Sequence, residues 1–118
     1  MKRTWFRSNK FNAKRTQVDN IWFDSGLEAG HYEELKLLLA AGIIEGLELQ
    51  YPLTLTVNDH QICTYYADFK FTVVETDQET IGESKGKVLP DFSLKWKLAQ
   101  ALYPQFDYRL WGKRGVVL

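Results

Sequence analysis

The sequence predicts an α/β fold in which a mixed central sheet is flanked by helices, and three observations predict it. An amphipathic run with a helix-start signal ends at Gly42. Three β-like runs follow, over residues 53–57, 62–74 and about the Glu83-Ser84-Lys85 triplet. A second amphipathic run, opened by Pro90 and closed by Pro104, then leads to a last β-like run. A helix that leaves one strand and returns to another is the connection that parallel pairing requires.

Taken in order, residues 1–17 hold six Lys/Arg, no acid and little periodicity, and read as a basic N-terminal arm ahead of a single domain over 18–118. The Asp19-Asn20 pair between Val18 and Ile21 suggests a short turn or hairpin. Asp24 or Ser25 caps the first helix, with Glu28 three residues beyond Ser25 as in a capping box. Glu28, Tyr32, Leu35 and Leu39 fall on a single helical stripe. A carboxylate therefore lies in line with the apolar face. Either it serves the cap and the helix dipole, or the helix delivers it to the sheet.

Leu53 to Val57 alternates strictly, Asn58-Asp59-His60 is a turn, and Ile62 to Val74 is a long β-run. Within that run Phe69, Phe71 and Val73 share one face, while Asp68, Lys70 and Thr72 share the other. Asp68 is thus off the obvious core face. After the polar turn at residues 76–79, alternation points Glu83 and Lys85 the same way and Ser84 the other. If the two runs pair in a suitable register, Asp68 joins Glu83 and Lys85 on one surface. In the second helix Leu94, Leu98, Ala101 and Leu102 form the expected buried stripe. Lys95 beside it either reaches a cleft or phosphate or snorkels at the surface. Phe106 to Trp111 reads as the last strand, and Lys113-Arg114 begins a basic tail.

Composition narrows the function classes. A single cysteine, Cys63, excludes an internal disulfide and a cysteine-rich zinc site, and reads as a packed thiol. No apolar run approaches the roughly 20 residues of a membrane helix. The opening Met-Lys-Arg-Thr-Trp has no signal-peptide core, so a cytoplasmic location is expected. Net charge is formally zero, but it is distributed as +6 over residues 1–17, −11 over 18–83 and +5 over 84–118. Basic ends around an acidic centre fit a cation-binding cleft between phosphate-contacting arms; the alternative is an uneven solvated surface. A helix-turn-helix regulator is disfavoured by the β-rich, acidic middle.

The residue types around Asp68 suit a hard cation. Mg²⁺ takes one or two carboxylates plus water and phosphate oxygens. Two carboxylates about 4 Å apart repel by roughly 4 kcal/mol at an effective dielectric near 20, a strain that a cation relieves. Lys85 beside them would orient or deprotonate an attacking water, or offset charge on a phosphoryl transition state. The alternative is an exposed cross-strand charge pattern.

Five motifs occur in series: Phe23-Asp24-Ser25 with Glu28-Ala29, Leu47-Glu48-Leu49-Gln50, Tyr66-Ala67-Asp68-Phe69, Glu83-Ser84-Lys85-Gly86, and the lysine-rich helix Leu94 to Leu98. In that order the chain resembles the PD-(D/E)XK nuclease superfamily over residues 14–111, and within it looks like a small phage-encoded family similar to endonuclease I-type Holliday junction resolvases. The resemblance implies a restriction-endonuclease-like αβββαβ core and a Mg²⁺- or Mn²⁺-dependent DNA endonuclease. By it, Asp68, Glu83 and the Ser84 carbonyl would hold the metal, Glu28 would complete the acidic cluster, and Lys85 would serve the water. Gln50 falls where related enzymes carry a polar residue; alternatively its amide satisfies a strand end. Ala67 stands where the superfamily commonly has proline.

The expected substrate is branched DNA, such as a Holliday junction, in phage recombination or replication. Lys2, Arg3, Arg7, Lys10, Lys14, Arg15, Lys95, Lys113 and Arg114 are the expected backbone contacts. One domain makes one cut, so symmetrical resolution predicts a homodimer. Trp5, Phe6, Trp22 and Trp111 would build its interface, stack on unpaired bases, or complete the core. His31, one turn past Glu28, lies near the groove, or is a surface or partly satisfied residue. The rival readings are a non-catalytic DNA- or protein-binding module on the same fold, and an RNA nuclease.

Overall fold

Asp19 and Asn20 both adopt left-handed angles, φ 54° and 62°. They close a two-residue hairpin between β1 (Thr16–Val18) and β2 (Ile21–Phe23), a geometry that short polar side chains tolerate. These are the first elements of the computed structural model, which describes residues 14–118. Lys2, Arg3, Trp5, Phe6, Arg7 and Lys10 therefore lie outside the described residues. Helix α1 (Gly26–Ala40) follows at once. Of the two candidate caps, Ser25 is the one used: its hydroxyl accepts the Glu28 N–H at 3.1 Å. Gly42 leaves the helix at φ 75°, where a Cβ would be strained.

The next two strands are long. β3 (Ile44–Val57) and β4 (His60–Val73) pair antiparallel through a turn at Asn58 and Asp59, φ 50° and 65°. β3 thus begins well before the alternating run at Leu53. A register shift between Glu45 and Glu48, with Gly46 at φ 65°, lets the strand absorb its irregular start. β5 (Gln78–Ser84) pairs antiparallel with β4; α2 (Pro90–Leu102) then crosses to β6 (Asp107–Trp111), which lies parallel to β5. The main sheet has the order β3-β4-β5-β6 and is mixed, with β1-β2 as a separate ribbon. The α/β class and the mixed sheet agree with the sequence reading.

Two cores form. Tyr32 and Leu35 of α1 pack with Phe23, Ile44, Phe69, Phe71 and Trp111. Phe92 and Ala99 of α2 pack with Leu53, Leu55, Tyr65, Ala67, Ile81 and Phe106. One expectation fails here, and one set of alternatives is decided. Leu94 is 68 % exposed, and Ala101 and Leu102 are exposed as well, so the leucine stripe is not the buried face of α2. Phe92, Trp96 and Ala99 turn inward instead, because their rings find edge-on partners in Tyr65 and Tyr108. Trp111 is 3 % exposed and stacks on Phe71, so it belongs to the core rather than to an interface. Its ring occupies the space that a side chain on Gly82 would need.

Candidate functional site

The two cores meet where strand alternation breaks. Leu49, Phe69 and Phe71 pack on the α1 side, yet Tyr51, Leu53, Tyr65 and Ala67 pack on the α2 side. All are odd-numbered, and a regular strand would point them the same way. The exchange falls at Gln50 and Asp68, between the Leu49–Phe69 and Tyr51–Ala67 pairs. Gln50 there has φ 53°, and a left-handed residue inside a strand swivels the peptide planes on either side of it. The polar side chains at this crossing are neither in one core nor in the other.

Here the structure brings the sequence-predicted acids together. Glu28 is 4 % exposed, Asp68 1 % and Glu83 3 %, from α1, β4 and β5 respectively. Asp68 and Glu83 lie one step beyond the Phe69–Gly82 pair and interlock. The Asp68 N–H donates to Glu83 Oε1 at 3.1 Å, and the Ser84 N–H donates to Asp68 Oδ2 at 2.9 Å. Tyr65 donates its hydroxyl to Glu83 Oε1 at 2.6 Å. Lys85 Nζ stands 3.6 Å from Glu83 Oε2 and 4.5 Å above the centre of the Phe92 ring. Gln50 Nε2 joins the third acid, 3.5 Å from Glu28 Oε2 and 3.4 Å from Asp68 Oδ1. Its amide bridges two carboxylates, which is more than the satisfaction of a strand end.

Ser84 points to the opposite side, as alternation required. Its hydroxyl meets His31 Nδ1 at 2.5 Å, while His31 Nε2 lies 2.8 Å from the Gly112 carbonyl. Only an N–H can face that carbonyl, so in the neutral ring Nδ1 accepts the Ser84 O–H. His31 is 1 % exposed and packs edge-on against Trp111. It is a buried brace under the Glu83-Ser84-Lys85 triplet, with both ring nitrogens satisfied, and not a surface residue. Tyr65 had no signal in the sequence, because its parity assigns it to the other face from Asp68.

The basic residues surround this region unevenly. Lys85 N–H donates to the Trp111 carbonyl at 3.0 Å, which sets the chain of Lys113 and Arg114, both exposed, close beyond the site. Lys95 is half-buried on α2. Lys14 and Arg15 are exposed, with the Arg15 guanidinium 5.0 Å above the half-exposed Trp22 ring. A cavity of about 800 Å³ opens at the far end of the sheet, among Ile43, Val74, Gln78, Gln105 and Arg109, and none of the clustered acids lines it.

Among the described residues no three His, Cys, Asp or Glu side chains stand in a geometry ready to hold a metal ion. N–H and O–H donors and the Lys85 ammonium sit against the Asp68 and Glu83 carboxylate oxygens. The donor chemistry nonetheless fits a hard cation, since the cluster is built of carboxylate and amide oxygens. Gln50 Oε1, moreover, is buried with no hydrogen-bond partner.

Residues 8–115 match the family described as a protein of unknown function (DUF1064), and the chain belongs to that family. No curated protein matches it, and no solved structure does.

Proposed function

We propose that this DUF1064 member is a Mg²⁺- or Mn²⁺-dependent endonuclease of DNA. It would select branched substrates such as Holliday junctions, in phage recombination or replication, and act as a homodimer. The observation that carries the reading is the meeting of Glu28, Asp68 and Glu83, each buried, beside Lys85. Buried carboxylates repel one another, and a fold keeps them together at a cost that a cation offsets. The order of the five motifs and the resemblance to PD-(D/E)XK nucleases, with their restriction-endonuclease-like core, support the same reading.

The roles are those that the resemblance implies. Asp68 and Glu83, with the Ser84 carbonyl and Glu28, would hold the ion. When bound, it would supply positive charge against the charge developing on the phosphate. Lys85, its ammonium beside Glu83, would orient the attacking water and help its deprotonation through its charge. Tyr65 fixes one oxygen of Glu83, and His31 fixes Ser84 from beneath, so the triplet presents Glu83 and Lys85 in one setting. Lys113, Arg114, Lys95 and the basic arm would hold phosphates without reading bases, as selection by shape requires. Two identical sites in a dimer would cut both strands of a junction.

The test is incubation of the purified chain with labelled four-way junction, flap, duplex and single strand, and matched RNA. Mg²⁺, Mn²⁺ or EDTA is supplied in turn. Cleavage of branched DNA that needs the ion, is lost in Glu83→Ala and leaves binding intact is the expected result. Cleavage persisting in EDTA sinks the mechanism, and preference for RNA reassigns the substrate. One observation favours a second reading, a non-catalytic DNA- or protein-binding module. Glu83 already has Tyr65 and the Asp68 N–H on one oxygen and Lys85 near the other, as in a purely structural network. That reading expects no metal dependence and full function in Lys85→Ala.

A further inference from the structure

Gln50 departs from its surroundings in three ways. Its backbone holds φ 53° within a fourteen-residue strand. For a residue with a Cβ that conformation is strained. Its Oε1 is buried without a hydrogen bond. An acceptor left so forfeits the bonds it would make in water. Its Nε2 faces Glu28 and Asp68 at 3.5 and 3.4 Å, the long limit for an N–H···O bond. Glycine would relieve the first of these and an aliphatic side chain the second. Strain and an orphaned acceptor that persist at the meeting of two carboxylates point to use.

We infer that the Gln50 amide has two working positions: N–H toward Glu28 and Asp68 in the ion-free protein, and Oε1 toward them when a divalent cation enters, as a neutral oxygen ligand. The inference rests on the metal-dependent reading above. Its physical basis is a reversal of sign. Between two carboxylates an amide N–H is attracted and an amide oxygen repelled; a cation in the same place inverts both preferences. A half-turn about the Cγ–Cδ bond exchanges the two atoms and needs no backbone movement. The half-turn also leaves an NH₂ where Oε1 now lies, so one unpartnered group replaces another and the cation decides the balance. The left-handed backbone at Gln50 aims the side chain into the crossing between the cores. A neutral ligand suits a cluster that already has three acids, since a fourth charge would add repulsion in the ion-free state.

Mn²⁺ binding, read by electron paramagnetic resonance and calorimetry without DNA, tests this. Gln50→Leu keeps the bulk and should weaken Mn²⁺ affinity roughly 10- to 100-fold, the usual consequence of disturbing a metal's supporting groups. Its thermal midpoint should stay at or above that of the parent. Gln50→Glu, which offers an oxygen in either orientation, should bind at least as tightly as the parent. The ¹⁵N-labelled Gln50 side-chain amide should shift on Mg²⁺ addition in the parent protein. If Gln50→Leu binds Mn²⁺ like the parent while Asp68→Asn does not bind, the inference is overturned and the metal-dependent reading stands. If the parent itself binds no Mn²⁺, both fall. Should Gln50→Leu fail to fold, the amide resonance decides: no movement at saturating Mg²⁺ overturns the inference.

Discussion

Lys70 and Lys85 each sit against carboxylates on the same sheet, but the two clusters bury opposite partners. The Lys70 side chain is 10 % exposed, while its acids, Glu48 at 3.5 Å and Glu79 at 3.2 Å, are 54 % and 49 % exposed. The Tyr51 and Phe106 rings lie beneath its ammonium, 5.0 and 5.9 Å away. Burial alone would lower the Lys70 pKa; the hydrogen bond and charge of Glu79, then the charge of Glu48, outweigh it and leave the pKa above the ordinary lysine value. At Lys85 the acid is the hidden group: the Glu83 side chain is 4 % exposed and the lysine 18 %. A buried ammonium with water-facing acids is a finished structural device. Buried acids with a more open ammonium are the arrangement that the proposed ion site would use.

That contrast orders the following experiments by expected effect. Lys85→Met should lower ion-dependent cleavage by at least about 10²-fold, the scale of losing a group that stabilises the transition state. Lys70→Met should leave cleavage unchanged, and equal losses in both would erase the distinction. Gly82→Ala comes next, because Gly82 lies on β5 between the two clusters and a Cβ there meets the Trp111 ring. Urea unfolding should show a loss of about 1–3 kcal/mol from overpacking. Lys70→Met itself should change stability at neutral pH by less than about 1 kcal/mol, since the acids it leaves behind face water and the stem stays apolar.

Alkaline titration sharpens the same comparison at smaller amplitude. Lys70, with its folded pKa raised, contributes stability that is complete below the unfolded value of about 10.4 and is lost as pH rises through the folded one. Tyr108 behaves alike. Burial first, then the nearby Tyr103, pushes its phenol up to about 12. It donates to the Ala99 and Tyr103 carbonyls, so ionisation would break both bonds. Stability should therefore decline from about pH 10 upward. Lys70→Met and Tyr108→Phe should each flatten part of that slope.

The smallest effect belongs to the exposed Lys36–Asp19 pair, 2.7 Å apart. The hydrogen bond from Lys36, then that from Tyr32, holds the Asp19 carboxyl below its usual value. Its contribution is present above the unfolded carboxylate pKa and disappears as acid takes the pH down through the lowered one. Asp19→Asn should be detectable by thermal melts in low salt and vanish in high salt.

Much of the arrangement was legible in local chemistry. Ser25 with Glu28, Pro90, Gly42 and the Asn58-Asp59 turn mark the ends of elements, because caps and turns are satisfied within a few residues. Asp68, Glu83 and Lys85 stood out because alternation already set them apart from the apolar set. The α2 face was misread because leucine and aromatic stripes compete at the same helical period. Which one is buried depends on rings supplied by β4 and β6.

By itself, then, the sequence determined the element order, the mixed character of the sheet and the grouping of Asp68, Glu83 and Lys85, which follow from spacing and residue type, while Glu28 was added to them only by the resemblance. Only the tertiary structure decided which acids meet, that Tyr65 and His31 brace them, and that Gln50 stands between them. The physical reason is that alternation breaks where the two cores meet, at Gln50 with its left-handed backbone on β3 and at Asp68 on β4. Odd-numbered side chains on either side of that point belong to different cores, so parity, the rule by which a strand is read, no longer tells which face a residue occupies.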